Sequence, residues 1–208
     1  MNKIKAIICD WGGVFLKAGT GIALKRIYKI VDSPKRKVNE IFAYYPKKEG
    51  WLYRRGKLTK REFWKAAIKK LNINKKIIPK LQKTWHSSYK PIKGMQEIIS
   101  RLRRNYKVIA FSGTVKVRAE YLDKKYGLLK NFDDFVLSFN VGFSKEDVEF
   151  YKILIKRLKK LKLKPEECVF IDDQQEFLDT AKSFGIKTLL FRNPSKLKID
   201  LRKIGIKI

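Results

Sequence analysis

Short apolar runs alternate with segments of helical periodicity along most of the chain. The apolar runs have the length of buried strands and cover residues 4–9, 107–112, 135–139, 168–171 and 187–191. Apolar positions recur every three or four residues in the predicted helices 95–105, 115–126, 147–163 and 177–184. Strands that alternate with helices indicate an α/β fold, a Rossmann-like open parallel sheet with helices on both faces.

The segment from residue 16 to about residue 90 lacks the strand-like runs and shows helical periodicity only. Within it, Thr59 and Glu62 fit a capping box ahead of an apolar helical stripe. We therefore predict a helical cap of residues 16–90, inserted after the first strand. Residues 1–15 and 91–208 would form the core domain.

The length and composition suit one substantial core beside a smaller subdomain, since 44% of the 208 residues are hydrophobic. No stretch approaches the length of a membrane span, and the first nine residues are too short and too charged for a secretory signal. We expect a cytoplasmic protein without a membrane partner. Cys9 and Cys168 both fall in predicted strands, about a strand length apart, so we expect two reduced core cysteines.

A formal charge of +30 is the most unusual global property of the sequence. Residues 16–90 hold 22 Lys and Arg against 4 Asp and Glu, a net of +18, and the remainder has a net of +12. Such a field attracts nucleic acids and other polyanions as well as small anionic metabolites. Solvated helix faces and a lysine-rich codon usage explain the same composition without any function, so charge alone does not choose between these readings.

Four polar features follow predicted strands or precede a predicted helix in a fixed order. Open α/β sheets bind their ligands at the carboxyl ends of strands, so these features are expected to meet. In chain order they are Asp10 before Gly12-Gly13, Ser112-Gly113, Lys145, and the pair Asp172-Asp173.

Each feature suits phosphate chemistry at a metal. Ser112 and the amide of Gly113 offer hydrogen-bond donors to a phosphate, and Lys145 offers a neutralising charge. Adjacent carboxylates at a buried edge repel each other, so the Asp172-Asp173 pair indicates a cation. Oxygen ligands from Asp10, Asp173 and a backbone carbonyl are typical of Mg²⁺.

The order strand-Asp10-x-Gly12-Gly13-Val14, strand-Ser112, Lys145, strand-Asp172-Asp173 resembles the four motifs of the haloacid dehalogenase superfamily. The insert resembles its C1-type cap, and the resemblance covers essentially the whole chain. The first and last motifs are most similar to those of the sugar-phosphate phosphatases related to bacterial α-glucose-1-phosphatase.

The resemblance implies an Mg²⁺-dependent phosphatase of a small phosphorylated metabolite. Asp10 would be the nucleophile that forms an aspartyl-phosphate, and Lys145 would assist it. Ser112, Gly113 and Lys145 would bind the phosphoryl group of the substrate. Asp10, the carbonyl of Gly12, and Asp173 would hold Mg²⁺, with support from Asp172.

Three positions depart from the usual pattern of that superfamily. The aspartate that protonates the leaving group in most members is Gly12 here, although the sugar-phosphate subgroup also has glycine. The usual Asn after the motif-two hydroxyl is Gly113, and the polar residue four positions after Asp173 is Phe177, for which Glu176 or Asp179 would have to substitute. General acid catalysis contributes about a hundredfold to ten-thousandfold, so slow turnover or a good leaving group is expected.

Two other functions stay open. Dehalogenation uses the same nucleophile without metal, but the Asp172-Asp173 pair disfavours it because two anions would repel a haloacid. A hydrolase fold with little activity that binds nucleic acid or another polyanion fits the charge and the loss at Gly12 and Phe177. Retention of the four motifs together disfavours that alternative.

His86, the one histidine, is expected to have a surface or packing role.

Overall fold

The computed structural model describes residues 3–208 and contains one five-stranded sheet. Its strands are β1 (Ala6–Cys9), β2 (Lys107–Ser112), β3 (Asp134–Leu137), β4 (Cys168–Asp172) and β5 (Lys187–Leu190). All neighbouring pairs are parallel and the order is β3-β2-β1-β4-β5, so β1 is the central strand. The predicted α/β fold with a parallel sheet is confirmed.

Eleven helices connect and flank these strands in the described residues. Those before β2 are α1 (Thr20–Ile27), α2 (Lys35–Phe42), α3 (Glu49–Arg54), α4 (Lys60–Leu71), α5 (Ile78–Ser87) and α6 (Met95–Leu102). Those after β2 are α7 (Lys116–Tyr126), α8 (Ser138–Val141), α9 (Val148–Lys160), α10 (Gln175–Ser183) and α11 (Pro194–Lys203). Of these, α1 to α5 form the predicted helical insertion after β1.

Both faces of the sheet are covered, as the continuous apolar runs of its strands predict. Side chains of α6, α7 and α11 pack on the face that carries Ile7 and Cys9. Side chains of α9 and α10 pack on the face that carries Ala6 and Ile8. Alternate residues of β1 thus point into two separate core clusters, which fixes the central strand in place.

The two cysteines lie on neighbouring strands and are both free and buried. Ala6 pairs with Cys168 and Cys9 pairs with Ile171, so the two thiols are three residues apart in register. At about 3.3 Å per residue the separation is on the order of 10 Å, beyond disulfide reach. The expectation of reduced core cysteines is confirmed.

Two elements differ from the sequence prediction. The third strand ends at Leu137, and residues 138–139 begin the short helix α8 because the Ser138 hydroxyl donates to the carbonyl of Arg54 at 2.7 Å in the insertion. Helix α11 was not predicted, although its Asn193 side chain accepts from the Lys196 amide as an N-cap and Pro194 follows.

The insertion has an apolar core of its own. Phe42, Phe63 and Trp85 lie at its centre, with ring centroids of Phe42 and Trp85 5.3 Å apart. The predicted capping box begins α4, since Thr59 and Glu62 exchange side-chain and backbone hydrogen bonds. This core lets the insertion keep its shape beside the sheet.

The chain enters and leaves the insertion at one place. The Lys17 amide donates to the Lys90 carbonyl at 2.8 Å, and the Ile92 amide donates to the Phe15 carbonyl at 2.9 Å. The two crossing segments therefore run side by side and are hydrogen-bonded to each other. Across residues 3–208, no helix has both the length and the apolar character needed to traverse a bilayer.

Candidate active site

The carboxyl ends of β1, β2 and β4 bring the sequence-predicted polar residues together. Asp10 follows β1 directly, Ser112 is the last residue of β2, and Asp172 is the last residue of β4. Their side chains are largely buried, with 4%, 3% and 0% exposure in that order. The loop before α9 adds Lys145, which is 5% exposed. The parallel register of the three strands thus gathers groups far apart in sequence.

Lys145 lies between two carboxylates at the centre of the site. Its Nζ is 2.9 Å from Asp10 Oδ1 and 2.5 Å from Asp172 Oδ2. Burial alone would lower the pKa of Lys145, but the charges of Asp10 and Asp172 outweigh it and raise that pKa. The ammonium is therefore charged at neutral pH and lies directly beside Asp10.

The Asp172 carboxylate has a supporting role in this arrangement. Its Oδ2 accepts from Lys145, and its Oδ1 accepts from the Gln174 amide at 2.9 Å. Burial and the nearby charge of Asp10 raise the pKa of Asp172 to about 6, with Lys145 acting in the opposite direction. Both oxygens are thus engaged in fixing the lysine and the turn after β4.

Asp173 completes a group of three carboxylates that suits a cation. One oxygen each of Asp10, Asp172 and Asp173 lies within 4.8 Å of the others. Asp173 Oδ1 is buried and has no hydrogen-bond partner among residues 3–208. Burial and the charge of Asp10 raise the pKa of Asp173, so the ionised form needs compensation. A hard cation such as Mg²⁺ fits both the oxygen donors and the unpaired atom.

The Gly12-Gly13 turn lies against this carboxylate group. Gly13 has a φ of +102°, and a Cβ there would be 2.2 Å from Asp173 Oδ2. Glycine is therefore required at Gly13 by its backbone and by the space that Asp173 occupies. A Cβ at Gly12 would meet the Tyr89 ring at 3.9 Å, so this position faces an aromatic ring.

A cavity of about 410 Å³ opens above these residues. Ser112 and Gly113 line it with Asp10 and Lys145, as expected for a phosphate pocket. A Cβ at Gly113 would come within 2.7 Å of the Ser144 hydroxyl, so a larger residue would displace that hydroxyl. The glycine that replaces the usual Asn therefore leaves room for a second hydroxyl at the pocket.

Phe177 stands where the superfamily pattern has a polar residue, and its ring contacts Lys145 instead of supporting the carboxylates. Its ring centroid is 5.2 Å from Lys145 Nζ, so the ammonium meets a π face as well as two carboxylates. Glu176 lines the cavity, whereas Asp179 is exposed and accepts from Gln175 at 2.8 Å. Of the two carboxylates suggested as substitutes, the structure brings Glu176 to the cavity and leaves Asp179 on the surface.

The insertion contributes cavity residues that the sequence did not single out. They are Ala18, Gly19, Thr20, Gly21, Tyr44, Arg54 and Tyr89. None carries a motif, and one arginine among 50 basic residues gives no signal in the sequence.

His86 does not line this cavity; it is 2% exposed and stacks on Trp85 with centroids 5.1 Å apart. Burial lowers the pKa of His86 to about 2, which agrees with a packing role.

The fold, the order of the motifs and their geometry match a known class of protein. The sequence model of the haloacid dehalogenase-like hydrolases matches residues 4–185. The chain therefore belongs to the haloacid dehalogenase-like hydrolase family.

Two curated relatives have similar sequences. An uncharacterised protein of Dictyostelium discoideum is 25% identical over 219 residues, covering 91% of this chain and 92% of the relative. The chloroplast flavin mononucleotide hydrolase 1 of Arabidopsis thaliana is 28% identical over 129 residues, covering 62% of this chain and 51% of the relative.

Solved structures share the fold. The HAD family enzyme bt-2542 of Bacteroides thetaiotaomicron, in complex with magnesium and inorganic phosphate, has a TM-score of 0.76 at 20% identity. That match covers 91% of this chain and 95% of the enzyme. The L-2-haloacid dehalogenase of Xanthobacter autotrophicus has a TM-score of 0.63 at 14% identity, covering 99% of this chain and 85% of the dehalogenase.

Proposed function

We propose that the chain is an Mg²⁺-dependent phosphatase of a small phosphorylated metabolite. The observation that carries this proposal is the position of Lys145 Nζ, 2.9 Å from Asp10 Oδ1, beside an unpaired buried oxygen of Asp173. A nucleophile, a cation for the phosphoryl oxygens and a place for a metal thus share one cavity. The magnesium and phosphate named for bt-2542 support the same chemistry.

Asp10 acts as the nucleophile in this proposal. Its carboxylate oxygen attacks phosphorus, the bond from phosphorus to the ester oxygen breaks, and the leaving alkoxide takes a proton from water. A second water then attacks the phosphorus of the aspartyl-phosphate, which releases inorganic phosphate and restores the Asp10 carboxylate. Because Gly12 offers no acid, leaving groups of low pKa are expected to react fastest.

Ser112, Gly113 and Lys145 bind the transferring group. Ser112 and Gly113 line the cavity, and in this proposal the Ser112 hydroxyl and the Gly113 amide donate to phosphoryl oxygens. Lys145 neutralises the developing charge, while Asp172 holds the ammonium in position. Such placement of charge supplies most of the rate in phosphoryl transfer.

Asp10, the Gly12 carbonyl and Asp173 would hold Mg²⁺, and Asp172 would support the group from the same turn. When bound, the ion neutralises the phosphoryl oxygens and the carboxylates that face them. The unpaired Oδ1 of Asp173 is the buried polar atom that fits this assignment.

The substrate class and the domain division are part of the proposal. Residues 1–15 and 91–208 carry the reaction, and the cap of residues 16–90 covers the leaving group. The motifs around Asp10 and Asp173 favour the sugar-phosphate phosphatase subgroup. The flavin mononucleotide hydrolase relative favours a phosphomonoester in general.

The test is hydrolysis of para-nitrophenyl phosphate and a panel of sugar phosphates, with Mg²⁺ and with EDTA. We expect metal-dependent phosphate release that falls by at least about a hundredfold in Asp10→Asn, because the nucleophile is lost. Asp179→Asn removes a surface carboxylate and is the matched control, expected to keep the wild-type rate. Equal inertness of wild type and Asp10→Asn across the panel would contradict the proposal and favour the polyanion-binding alternative.

A further inference from the structure

Two arginines near the cavity are buried without a carboxylate partner. Arg54 is 6% exposed and Arg118 is 2% exposed. Among residues 3–208, Arg54 Nε and both Nε and Nη2 of Arg118 have no hydrogen-bond partner. A buried guanidinium without compensation costs several kcal/mol on general grounds. Two such arginines lie close together here. An anionic ligand would supply the negative charge that the protein itself does not provide for them.

Arg54 lines the active-site cavity and Arg118 lies behind it. The Arg118 guanidinium stacks on the Tyr89 ring at 4.1 Å and on the Trp85 ring at 4.9 Å, and Tyr89 lines the cavity. Burial and the charge of Arg54 lower the pKa of Arg118 to about 10, against the opposing effect of Tyr89. Arg118 therefore stays protonated at neutral pH, and the charge of Arg54 repels it.

The N-terminus of α1 opens onto the same cavity. Gly19, Thr20 and Gly21 line it, and no side chain caps the helix. The first amides of a helix and its dipole favour an anion at this end. The Thr20 hydroxyl lies 2.6 Å from the Tyr89 hydroxyl, and Gly19 has no room for a Cβ because the Tyr89 ring would be 2.5 Å away. Two hydroxyls and free amides thus lie together at the wall that Arg54 completes.

Glu146, an acidic residue of the cavity wall, is already paired. Glu146 lines the cavity, but its carboxylate accepts from the Tyr44 hydroxyl and from Arg55 at 3.3 Å. Arg55 in turn binds Asp147 at 2.8 Å. The charge of Arg55 is therefore compensated by protein carboxylates, and only its Nη1 lacks a partner. Among residues 3–208, Arg54 has no carboxylate partner and donates only from Nη2 to the Phe42 carbonyl at 3.4 Å, so its charge is left for a ligand.

We propose that Arg54, Tyr89 and the N-terminus of α1 form a second anion subsite in the active-site cavity, with Arg118 as the positioning residue behind Tyr89. This inference rests on the proposed phosphatase function and narrows it. The substrate is a phosphomonoester whose leaving group carries a further anionic group, a carboxylate or a second phosphate. The phosphate that reacts binds at Asp10, and the other anion binds at the insertion.

The test compares matched substrates that differ by one anionic group. 3-Phosphoglycerate against glycerol 3-phosphate tests a carboxylate, and glucose 1,6-bisphosphate against glucose 6-phosphate tests a second phosphate. The measured quantity is the ratio of kcat/KM within each pair. We expect at least one ratio to exceed about ten, as a charge-assisted contact provides, and the pair that shows it identifies the anion.

Substitutions at Gly21 can test the effect of charge separately from shape, because a Cβ there meets no atom within 4 Å. Gly21→Asp places a carboxylate at the subsite and is expected to lower the ratio by about tenfold or more. Gly21→Asn has nearly the same shape without the charge and should preserve most of the ratio. Arg54→Gln should lower it as well, whereas Arg61→Gln, the same charge change at an exposed cap position, should leave it unchanged.

Thermal unfolding separates a ligand site from a structural role. Removal of one of two repelling buried charges should raise the Tm of Arg54→Gln, whereas a structural arginine would lower it. Ratios near one in both wild-type pairs, or equal ratios in Gly21→Asp and Gly21→Asn, would overturn the subsite. If no phosphomonoester is hydrolysed, the phosphatase proposal fails separately, and calorimetric binding of 3-phosphoglycerate to Gly21→Asp and Gly21→Asn decides the subsite by the same comparison.

Discussion

Gly13 shows how closely a single backbone position is tied to the carboxylate group. Its φ of +102° is a conformation that L side chains rarely adopt, and the Asp173 carboxylate occupies the space of a Cβ. Asp173 in turn has the unpaired Oδ1 that suits a cation. A methyl group at this glycine is therefore expected to act on the metal site rather than on the fold as a whole.

We predict that Gly13→Ala lowers Mg²⁺-dependent hydrolysis of para-nitrophenyl phosphate by at least about a hundredfold, since a displaced Asp173 forfeits charge stabilisation worth several kcal/mol. The measurement is kcat/KM over a range of Mg²⁺ concentrations. Gly142→Ala is the matched control, because Gly142 has a φ of +83° but open space around its Cβ position. Similar losses in the two variants would mean that backbone strain, and not contact with Asp173, is responsible.

Phe177 illustrates a substitution that sequence comparison reads as a loss. In the structure its ring meets the Lys145 ammonium, which also contacts Asp10 and Asp172. A cation–π contact of this kind contributes about 0.5 to 2 kcal/mol. The lysine is thus held without an additional carboxylate, which leaves the net charge of the site less negative.

At the scale of the elements, the residue that follows α3 binds the loop that carries Lys145. Arg55 Nε and Nη2 bind Asp147 Oδ2 at 3.0 and 2.8 Å, two residues after Lys145. The guanidinium also stacks on Trp51 at 3.7 Å, and its side chain is 1% exposed. A chain of contacts therefore runs from the insertion to the loop that carries Lys145.

We predict that Arg55→Met lowers kcat/KM for phosphorylated substrates by about ten- to a hundredfold, because small misplacements of catalytic groups have effects of this size. Asp147→Asn should give a loss in the same direction. Lys57→Met is the matched control, since Lys57 is exposed and faces the same Trp51 ring at 5.6 Å without an ion pair. Equal rates in Arg55→Met and Lys57→Met would show that this ion pair does not position Lys145.

The elements that sequence patterns predicted are those whose burial is local and periodic. Strands β1, β2 and β4 are continuous apolar runs, and α6, α9 and α10 carry apolar stripes. The end of β3 was misjudged because Ser138 is recruited by a carbonyl of the insertion, a contact distant in sequence. Helix α11 was missed although Asn193-Pro194 is a helix-start signal.

The candidate site divides in the same way. Asp10, Ser112 and Asp173 follow strands and were found from that pattern. Arg54 and Tyr89 reach the cavity only through packing of the insertion against the core, so no local pattern marks them. Their significance depends on burial and missing partners, which a sequence does not display.

At the scale of the whole molecule, the formal charge of +30 is the dominant property. Most lysines of the insertion are exposed, so they act together as a long-range field. That field favours any anion, whether a small phosphate ester or a nucleic acid. The field acts mainly on the rate at which an anion reaches the protein. Exposed charges are screened at distances beyond about 8 to 10 Å in physiological salt, so the field weakens as salt is added.

We predict that kcat/KM for an anionic substrate falls several-fold as KCl rises from about 0.05 M to about 0.5 M, with kcat changed by less than about twofold. The expected cause is weaker steering of the substrate toward the cavity. Sucrose at matched viscosity is the control for slower diffusion. A rate independent of salt would mean that the surface charge has no part in substrate capture, and steeply salt-dependent binding of random DNA without hydrolysis would support the polyanion alternative.

The two segments that connect the insertion to the core are hydrogen-bonded to each other, and this arrangement affects how the protein can evolve. Because Lys17 bonds to Lys90 and Phe15 to Ile92, the two ends of the insertion are neighbours in space. A segment whose ends meet can be lengthened, exchanged or replaced as a unit while the sheet and Asp10 stay as they are. The residues at the carboxyl ends of the strands and the residues that the insertion adds to the cavity are thus open to separate selection.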